Sequence, residues 1–370
     1  MTDADAGAWE TLRDRAQTYG SCLLGPDFAR ITAASTPSAR IGFIYDQDDL
    51  VAVLPYTRTA FGLARPIGAP FSDYSGPLVM AGRAPSMANI LKLFGLAAFR
   101  SDTVMDQYNH FSLPLASCSD THIIRLGTAS PEQYLEAQRA AYPKRFKNFR
   151  RLERRMEEQV PDLQFIFGKP HPQAIASVLA FKSDQFIRSG LIDVTTAKAS
   201  SAILQSVIDS PNAFMVGLWN GDELVSAHFG IKIGTCFHPW VAAYKAELSA
   251  LSPGHVLFNR IILAMPEMGV TEYDLSGGHD SYKKYYSNAT RTIGSLRVSA
   301  PTLRGLPYKF QNFLWKLVGA HLDGSKTQRL RRRMEHAAIC HQNHIARAQD
   351  LAYAFKNRPI SDPRPENLPI

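Results

Sequence analysis

Apolar and polar residues fall into paired short runs at two distant places in the chain. In ARIGFIYDQDDLVAVLPYTRT, residues 39–59, two strand-like runs flank a polar turn at Asp46–Asp49. In NAFMVGLWNGDELVSAHFGIKIG, residues 212–234, the same order recurs around Asn220-Gly221-Asp222. Each acidic turn leads into a similar return strand, Asp49-Leu50-Val51-Ala52 in one and Glu223-Leu224-Val225-Ser226 in the other. Turns rich in Asn, Asp and Gly suit tight hairpins because these residues tolerate left-handed backbone. The recurrence is a weak internal repeat, open both to duplication and to chance.

Between and after the hairpins the period changes. Residues 9–24 read as a short helix and its exit, and PSMANILKLFGLAAF, residues 85–99, as an amphipathic helix. TVMDQYNHFSLPL (103–115) and THIIRLG (121–127) read as strands. In residues 131–160, Phe146, Phe149, Leu152 and Met156 fall on one helical stripe. The other faces carry Lys144, Arg145, Lys147, Arg150, Arg151, Arg154 and Arg155 against Glu153, Glu157 and Glu158. Two readings stand: a solvated face with its own i,i+4 ion pairs, or a surface facing an anionic ligand. Residues 171–190 form another helix. TCFHPWVAAYK (235–245) is a strand that Pro239 makes an edge or a bulged strand. Strands alternating with helices around hairpins predict an α/β or α+β fold of mixed sheets with helical faces.

Candidate chemistry concentrates in residues 249–288. Pro253 after Ser252 marks a helix start, with Ser252 as cap, Gly254 unobstructed, and Leu257, Ile261, Ala264 and Met268 on one face. Free amides at such a start, here those of Gly254 and His255, favour an anion, although an ordinary cap has the same spacing. Gly269 ends the helix, and VTEYDL leads into LSGGHDSYKKYYSN, residues 275–288. Asp274, His279, Asp280, Tyr282 and Lys283 are the candidates for acid–base or phosphate-binding work, with a polar surface loop as the plain alternative.

Composition narrows the classes. The 370 residues are 45% hydrophobic and 20% charged, which predicts two globular domains. Of the net charge of +8, +7 sits in the last 70 residues, where 12 Lys and Arg meet 5 Asp and Glu. It therefore describes that tail, as a solvated basic helix or a nucleic-acid contact, and says little about the central site. Cys22, Cys118, Cys236 and Cys340 are scattered, and neither CxxC nor HExxH spacing occurs, so no metal site is expected. The polar N-terminus lacks a secretory pattern, and no apolar run is long enough to span a bilayer, which predicts a cytoplasmic protein. Phe310, Phe313, Leu314 and Leu317 form an amphipathic stretch in the tail, for packing onto the domains or for resting on an anionic membrane as a peripheral protein at the inner membrane.

The run FHPWVAAYKAELSALSPGHVLFNRIILAMPEMGVTEYDLSGGHDSYKKYYSN, together with the basic helix KRFKNFRRLERRM, resembles the CelD/BcsL acetyltransferase-like family of bacterial polysaccharide biosynthesis. That family belongs to the GNAT superfamily and is related to the Fem aminoacyltransferases. The resemblance covers about residues 30–300. It implies tandem GNAT-like domains, at 20–145 and 146–300, with a basic helical extension at 301–360. It implies an acyl-CoA-dependent N- or O-acyltransferase, taking acetyl-CoA or a longer acyl-CoA, that acts on a sugar or amine acceptor beside polysaccharide-synthesis or envelope machinery. A Fem-like transferase using aminoacyl-tRNA and a non-catalytic scaffold are the alternatives. Ser252, Gly254 and His255 would hold the cofactor; a fuller glycine-rich loop is absent. His279 or Asp274 would be the base, Tyr282 the proton donor and Lys283 the cation for phosphate or developing negative charge. Asp73 and Tyr74, in PIGAPFSDYSGPLV (66–79), and Tyr244 would meet the acceptor.

Overall fold

Both acidic-turn hairpins form, and each belongs to one of two sheets in the computed structural model. The structure describes residues 1–15, 20–106, 115–189, 193–278, 282–321 and 324–340, with 348 and 352. In chain order, α1 (Asp3–Arg15) and α2 (Pro26–Ala34) precede β1 (Ala39–Asp46), β2 (Asp49–Arg58), β3 (Leu63–Pro66) and β4 (Leu78–Val79). Helix α3 (Met87–Leu93) leads to β5 (Ala98–Val104), β6 (Ala116–Asp120) and β7 (Ile123–Arg125). Then come α4 (Pro131–Ala141), α5 (Pro143–Gln159), β8 (Leu163–Gly168), α6 (Pro172–Arg188) and α7 (Lys198–Asp209). They are followed by β9 (Ala213–Asn220), β10 (Glu223–Ile233), β11 (Cys236–Tyr244), α8 (Pro253–Ala264), β12 (Glu272–Asp274), α9 (Lys283–Tyr286) and β13 (Thr292–Ser299). Helices α10 (Leu306–His321) and α11 (Gly324–Cys340) come last.

The first sheet runs β1-β2-β3-β5-β13-β6, with β4 beside β2; the second runs β7-β12-β11-β10-β9-β8. One succession occurs twice. An antiparallel hairpin gains a third antiparallel strand, a helix follows, the next strand joins in parallel, and an antiparallel strand covers it. In the first sheet these are β1, β2, β3, α3, β5 and β13. In the second they are β9, β10, β11, α8, β12 and β7. The two acidic turns hold the same place in both, so the fold is the mixed, tandem arrangement expected, followed by helices.

The boundaries differ from those expected at 145 and 300. Residues 1–120, 197–206 and 292–340 form one unit, and 121–196 with 207–291 form the other. Strand β13 hydrogen-bonds to β5 and β6 in the first sheet, and Leu296 and Val298 lie in that sheet's core. Alternation marks 292–299 as a strand but does not say which sheet it joins. The C-terminal helices form the expected helical extension, and it belongs to the first unit. Glu335 of α11 pairs with Arg65 at 3.1 Å and Arg100 at 2.9 Å, and both arginines come from the first sheet.

Local signals explain most element ends. Helix α5 buries Phe146, Phe149, Leu152 and Met156, the stripe read from the sequence, and three of these join the second unit's core. The helix expected over 85–99 is shorter. Ser86 caps it, Gly95 turns it at a φ of +62°, and strand β5 begins at Ala98. Of the strand read at 103–115, residues 107–114 lie outside the described residues.

Pro239 sits on an interior strand, and a bulge between Phe229 and Gly230 accommodates it. Gly230 is required there because a Cβ would come within 2.1 Å of the His238 carbonyl oxygen and 2.6 Å of Pro239 Cα, both backbone atoms. Gly230→Ala is therefore expected to cost about 3 kcal/mol or more by overpacking. Gly234→Ala, at a turn with φ +56° and open space around the new methyl, should cost about 1 kcal/mol. Urea denaturation of the two variants beside the wild type measures the difference.

Candidate active site

Strands β11 and β12 are parallel but pair at just two positions, Cys236↔Glu272 and Phe237↔Tyr273. Strand β12 ends at Asp274, so among the described residues the rest of β11 parts from its neighbour on that side. Their C-terminal ends face one edge of the sheet, where ligands bind in α/β layers. Helix α8 starts at that edge, after a short helical turn at Ala246–Leu251. Pro253 is at its first position as expected, but Ser252 is no cap. It has left-handed backbone, φ 52° and ψ 61°, and its side chain makes no capping hydrogen bond. His255 differs too. Its N–H donates to the Ser252 carbonyl at 3.0 Å. Its ring is buried against Phe149, 3.5 Å between centroids, with Nδ1 3.0 Å from the Tyr286 hydroxyl. The apolar stripe of α5 pulls this imidazole into the core. What remains for an anion at the α8 start is backbone around Gly254, without a competing side-chain cap.

The first unit has the same parting, and its own chain closes it. Strands β3 and β5 pair at Leu63↔Ala98 and Ala64↔Phe99. Beyond that, Ser75 bridges to Val104: its N–H donates to the Thr103 carbonyl at 2.8 Å, and its carbonyl accepts from Met105 at 3.0 Å. The Ser75 and Ser101 hydroxyls meet at 2.6 Å, and Thr103 Oγ1 donates to the Ser72 carbonyl. Tyr74, expected to meet an acceptor, is instead 1% exposed, and Asp73 is half-buried beside it. Among the described residues no such bridge closes the second parting.

Of the residues around LSGGHDSYKKYY, His279 and Asp280 lie outside the described residues. Asp274, expected as a base, is fully buried and serves as a structural anion. Arg291 Nη1 donates to it at 2.8 Å and the Ser276 N–H at 2.8 Å, while His238 Nδ1 stands 3.7 Å away. Burial alone would raise its pKa, but His238, Arg291 and the Ser276 N–H outweigh it and hold the carboxyl below its ordinary value. Lys283 is buried, and its Nζ donates to the Gly277 carbonyl at 2.6 Å. Lys284, one residue on, is exposed, with its ammonium over the Tyr285 ring. Tyr282 is half-buried against Phe258, and Tyr244 half-buried at the end of β11.

Two groups escaped the sequence reading. Lys182 of α6 donates to the Ala242 carbonyl, in the half of β11 that does not pair with β12, at 3.2 Å. His228 of β10 lies 2.7 Å, through Nδ1, from the Tyr273 hydroxyl of β12. Burial, then the charges of Lys182 and Lys283, push His228 down to about 3. A histidine inside a hydrophobic strand and a lysine on an ordinary helix carry no spacing signal.

Helix α5 lies along α8, with Phe149 on His255, Glu153 accepting from Asn259 at 3.2 Å, and Glu157 paired with Arg260 at 3.0 Å. Two of its three glutamates are thus turned toward α8 and do not neutralise its own cations. Lys144, Lys147, Arg150, Arg154 and Arg155 are exposed and make no ion pair among the described residues. A cavity of about 460 Å³ runs along the helix, lined by Lys147, Arg150, Glu153, Arg154 and Glu157.

Residues 143–284, from the start of α5 to Lys284, match the acetyltransferase (GNAT) domain family. The second unit carries a GNAT-superfamily acyltransferase domain. The crystal structure of FemX is similar over 84% of this chain and 98% of its own, with 12% identity and a TM-score of 0.56, a likeness of fold. A tandem GNAT protein from the clavulanic acid biosynthesis pathway, solved without AcCoA, matches over 81% of this chain and 97% of its own, with 11% identity and a TM-score of 0.47. No curated protein matches the chain in sequence. The matched stretch holds the open parting, the α8 start, Lys283 and the basic helix, so the GNAT domain contains every element of the candidate site.

Two of the buried histidines, His228 and His255, make this domain acid-sensitive. Burial, then the charge of Arg145, lowers His255 to about 3, close to His228. Both titrate at about 6.5 when unfolded, so below that pH the unfolded chain binds more protons. Stability is therefore expected to fall as the pH drops from about 6.5 toward 3, at up to about 1.4 kcal/mol per pH unit for each histidine. His255→Phe, which keeps the stacking on Phe149, should remove one of the two protons from that dependence. Denaturation at several pH values between 7 and 4 gives the proton count.

Proposed function

We propose that this GNAT acyltransferase works as a Fem-like aminoacyl transferase, taking an acyl group from aminoacyl-tRNA and passing it to an amine. The observation that supports it is the unneutralised basic face of α5 beside the uncapped start of α8. A row of free cations suits a phosphate backbone, and these cations stand at the level of His255 and Asn259 along α8. The likeness of fold to FemX, over 84% of this chain, is consistent with this reading.

The chemistry needs few groups. The acceptor amine attacks the acyl carbonyl carbon, a C–N bond forms, and the ester bond to the carrier breaks. The carbonyl oxygen gains negative charge on the way, and a fixed cation beside it lowers the barrier. Lys283 is the residue we assign to that role, because burial and the Gly277 carbonyl hold its ammonium in one place. Tyr282 gives a proton to the leaving oxygen and takes back the one that the acceptor amine loses as the C–N bond forms. Asp274 stays paired to Arg291 and takes no proton. An amine belonging to an envelope precursor fits this scheme.

A second reading, acyl-CoA as donor, draws on the parting of β11 from β12 and on the α8 start. The turn Ser252-Pro253-Gly254 leaves backbone donors without a side-chain cap, which suits a pyrophosphate, with Lys147 and Arg150 available for phosphate charge. CoA would supply the acyl group as a thioester.

Lys283→Ala should lower turnover at least tenfold, about 1.4 kcal/mol in the barrier. Lys284→Ala, on the exposed side of the same turn, should change it less than twofold. Equal effects would remove Lys283 from the chemistry.

The carrier is tested by binding. Aminoacyl-tRNA should bind with a steep salt dependence, and the triple variant K147A/R150A/R154A should flatten the plot of log K against log salt by about 2. An unchanged slope and affinity would remove α5 from the carrier site. Stabilisation by CoA in a thermal-shift series, without tRNA binding, would select the second reading.

A further inference from the structure

Helix α10 is amphipathic with its apolar side outward. Tyr308, Asn312 and Trp315 face inward, half-buried and engaged with arginines: Arg100 lies over the Tyr308 ring, and Arg331 donates to Asn312 and lies over Trp315. Gln311 also accepts from Arg100, at 2.7 Å. The opposite stripe is Leu306, Phe310, Phe313, Leu314, Leu317 and Val318, spaced by threes and fours along the helix. All six are between 39% and 61% exposed, and Leu303 in the preceding turn is 85% exposed. Soluble proteins rarely show so continuous an apolar face unless something covers it.

Charge decides what that is. Residues 300–321 contain Arg304, Lys309 and Lys316 and no Asp or Glu. All three cations are exposed. On a helical projection Lys309 and Lys316 both border the Phe313 edge of the apolar stripe, where long side chains lay their stems along an apolar layer and reach anionic groups beyond it. Among the described residues no helix is long and apolar enough to cross a membrane. An outward apolar stripe bordered by cations is instead the pattern of a helix lying in a bilayer interface.

We propose that α10 is a membrane-docking helix, which seats the first unit on an anionic lipid surface with Phe310, Phe313 and Leu317 in the acyl boundary and Lys309 and Lys316 at the headgroups. The inward arginine contacts keep the helix in place on the protein while its outer face inserts. This site is independent of the identity of the acyl carrier.

Vesicle flotation of the full-length protein tests it. Binding is expected to phosphatidylglycerol-containing vesicles and to be much weaker with phosphatidylcholine alone. Phe310→Glu with Phe313→Glu should reduce binding at least tenfold, and the exposed positions predict an unchanged thermal midpoint. Lys309→Ala and Lys316→Ala should each weaken binding to anionic vesicles about fivefold. The proposal fails if the wild type does not float with anionic vesicles, or if the double glutamate variant floats as well as the wild type. It fails too if light scattering shows a dimer that this variant dissolves, because the stripe would then belong to a second copy of the chain.

Discussion

The second unit is organised around one buried guanidinium. Arg291 is 5% exposed and reaches Asp274 at 2.8 Å and Glu272 at 2.7 and 2.9 Å. Both carboxylates stand on β12, the three-residue strand that pairs with β11 on one side and β7 on the other. A strand so short has few ladder bonds of its own, and the ion cluster ties it to the segment after α9. The Arg291 carbonyl also accepts from the N–H and hydroxyl of Thr121, just before β7. Removing one partner from such a cluster leaves a buried charge without compensation, which is far costlier than losing an exposed pair.

This constraint divides the labour at the site. Because Asp274 is committed to Arg291, the strand end keeps its position and loses its availability as a base. Among the described residues two polar groups there are cations, Lys283, held by a backbone carbonyl, and Lys182, held by another. Both suit the stabilisation of negative charge more than the removal of a proton. The first unit has the same strand arrangement but closes its parting with Ser75 and the serine–threonine cluster around it. One repeated architecture has thus been bridged in one copy, while among the described residues the other has no such bridge.

The helices show a similar exchange of partners. Glutamates that the spacing of α5 would set against its own arginines are drawn to α8 by Asn259 and Arg260. In α10, arginines from β5 and α11 occupy the inward polar face, so the apolar residues have nowhere to go but outward. In both cases a charged neighbour from elsewhere in the chain changes which face of a helix is free. Surface charge and surface apolarity, the two properties that choose partners, are set by these nonlocal contacts.

Much of the local structure was legible in the sequence by itself. The hairpins around Asp46–Asp49 and Asn220–Asp222, the buried stripe of α5 and the Pro253 start of α8 follow from turn chemistry, periodicity and proline's missing N–H, which act over a few residues. The return of 292–299 to the first sheet, the pairing of Asp274 with Arg291, the inward turn of His255 and the outward turn of α10 were decided by tertiary structure alone. Sheet membership, ion pairing and the side a helix shows depend on residues tens to hundreds of positions away, and a local pattern of apolar and polar side chains carries no information about which distant partner will neutralise or cover it.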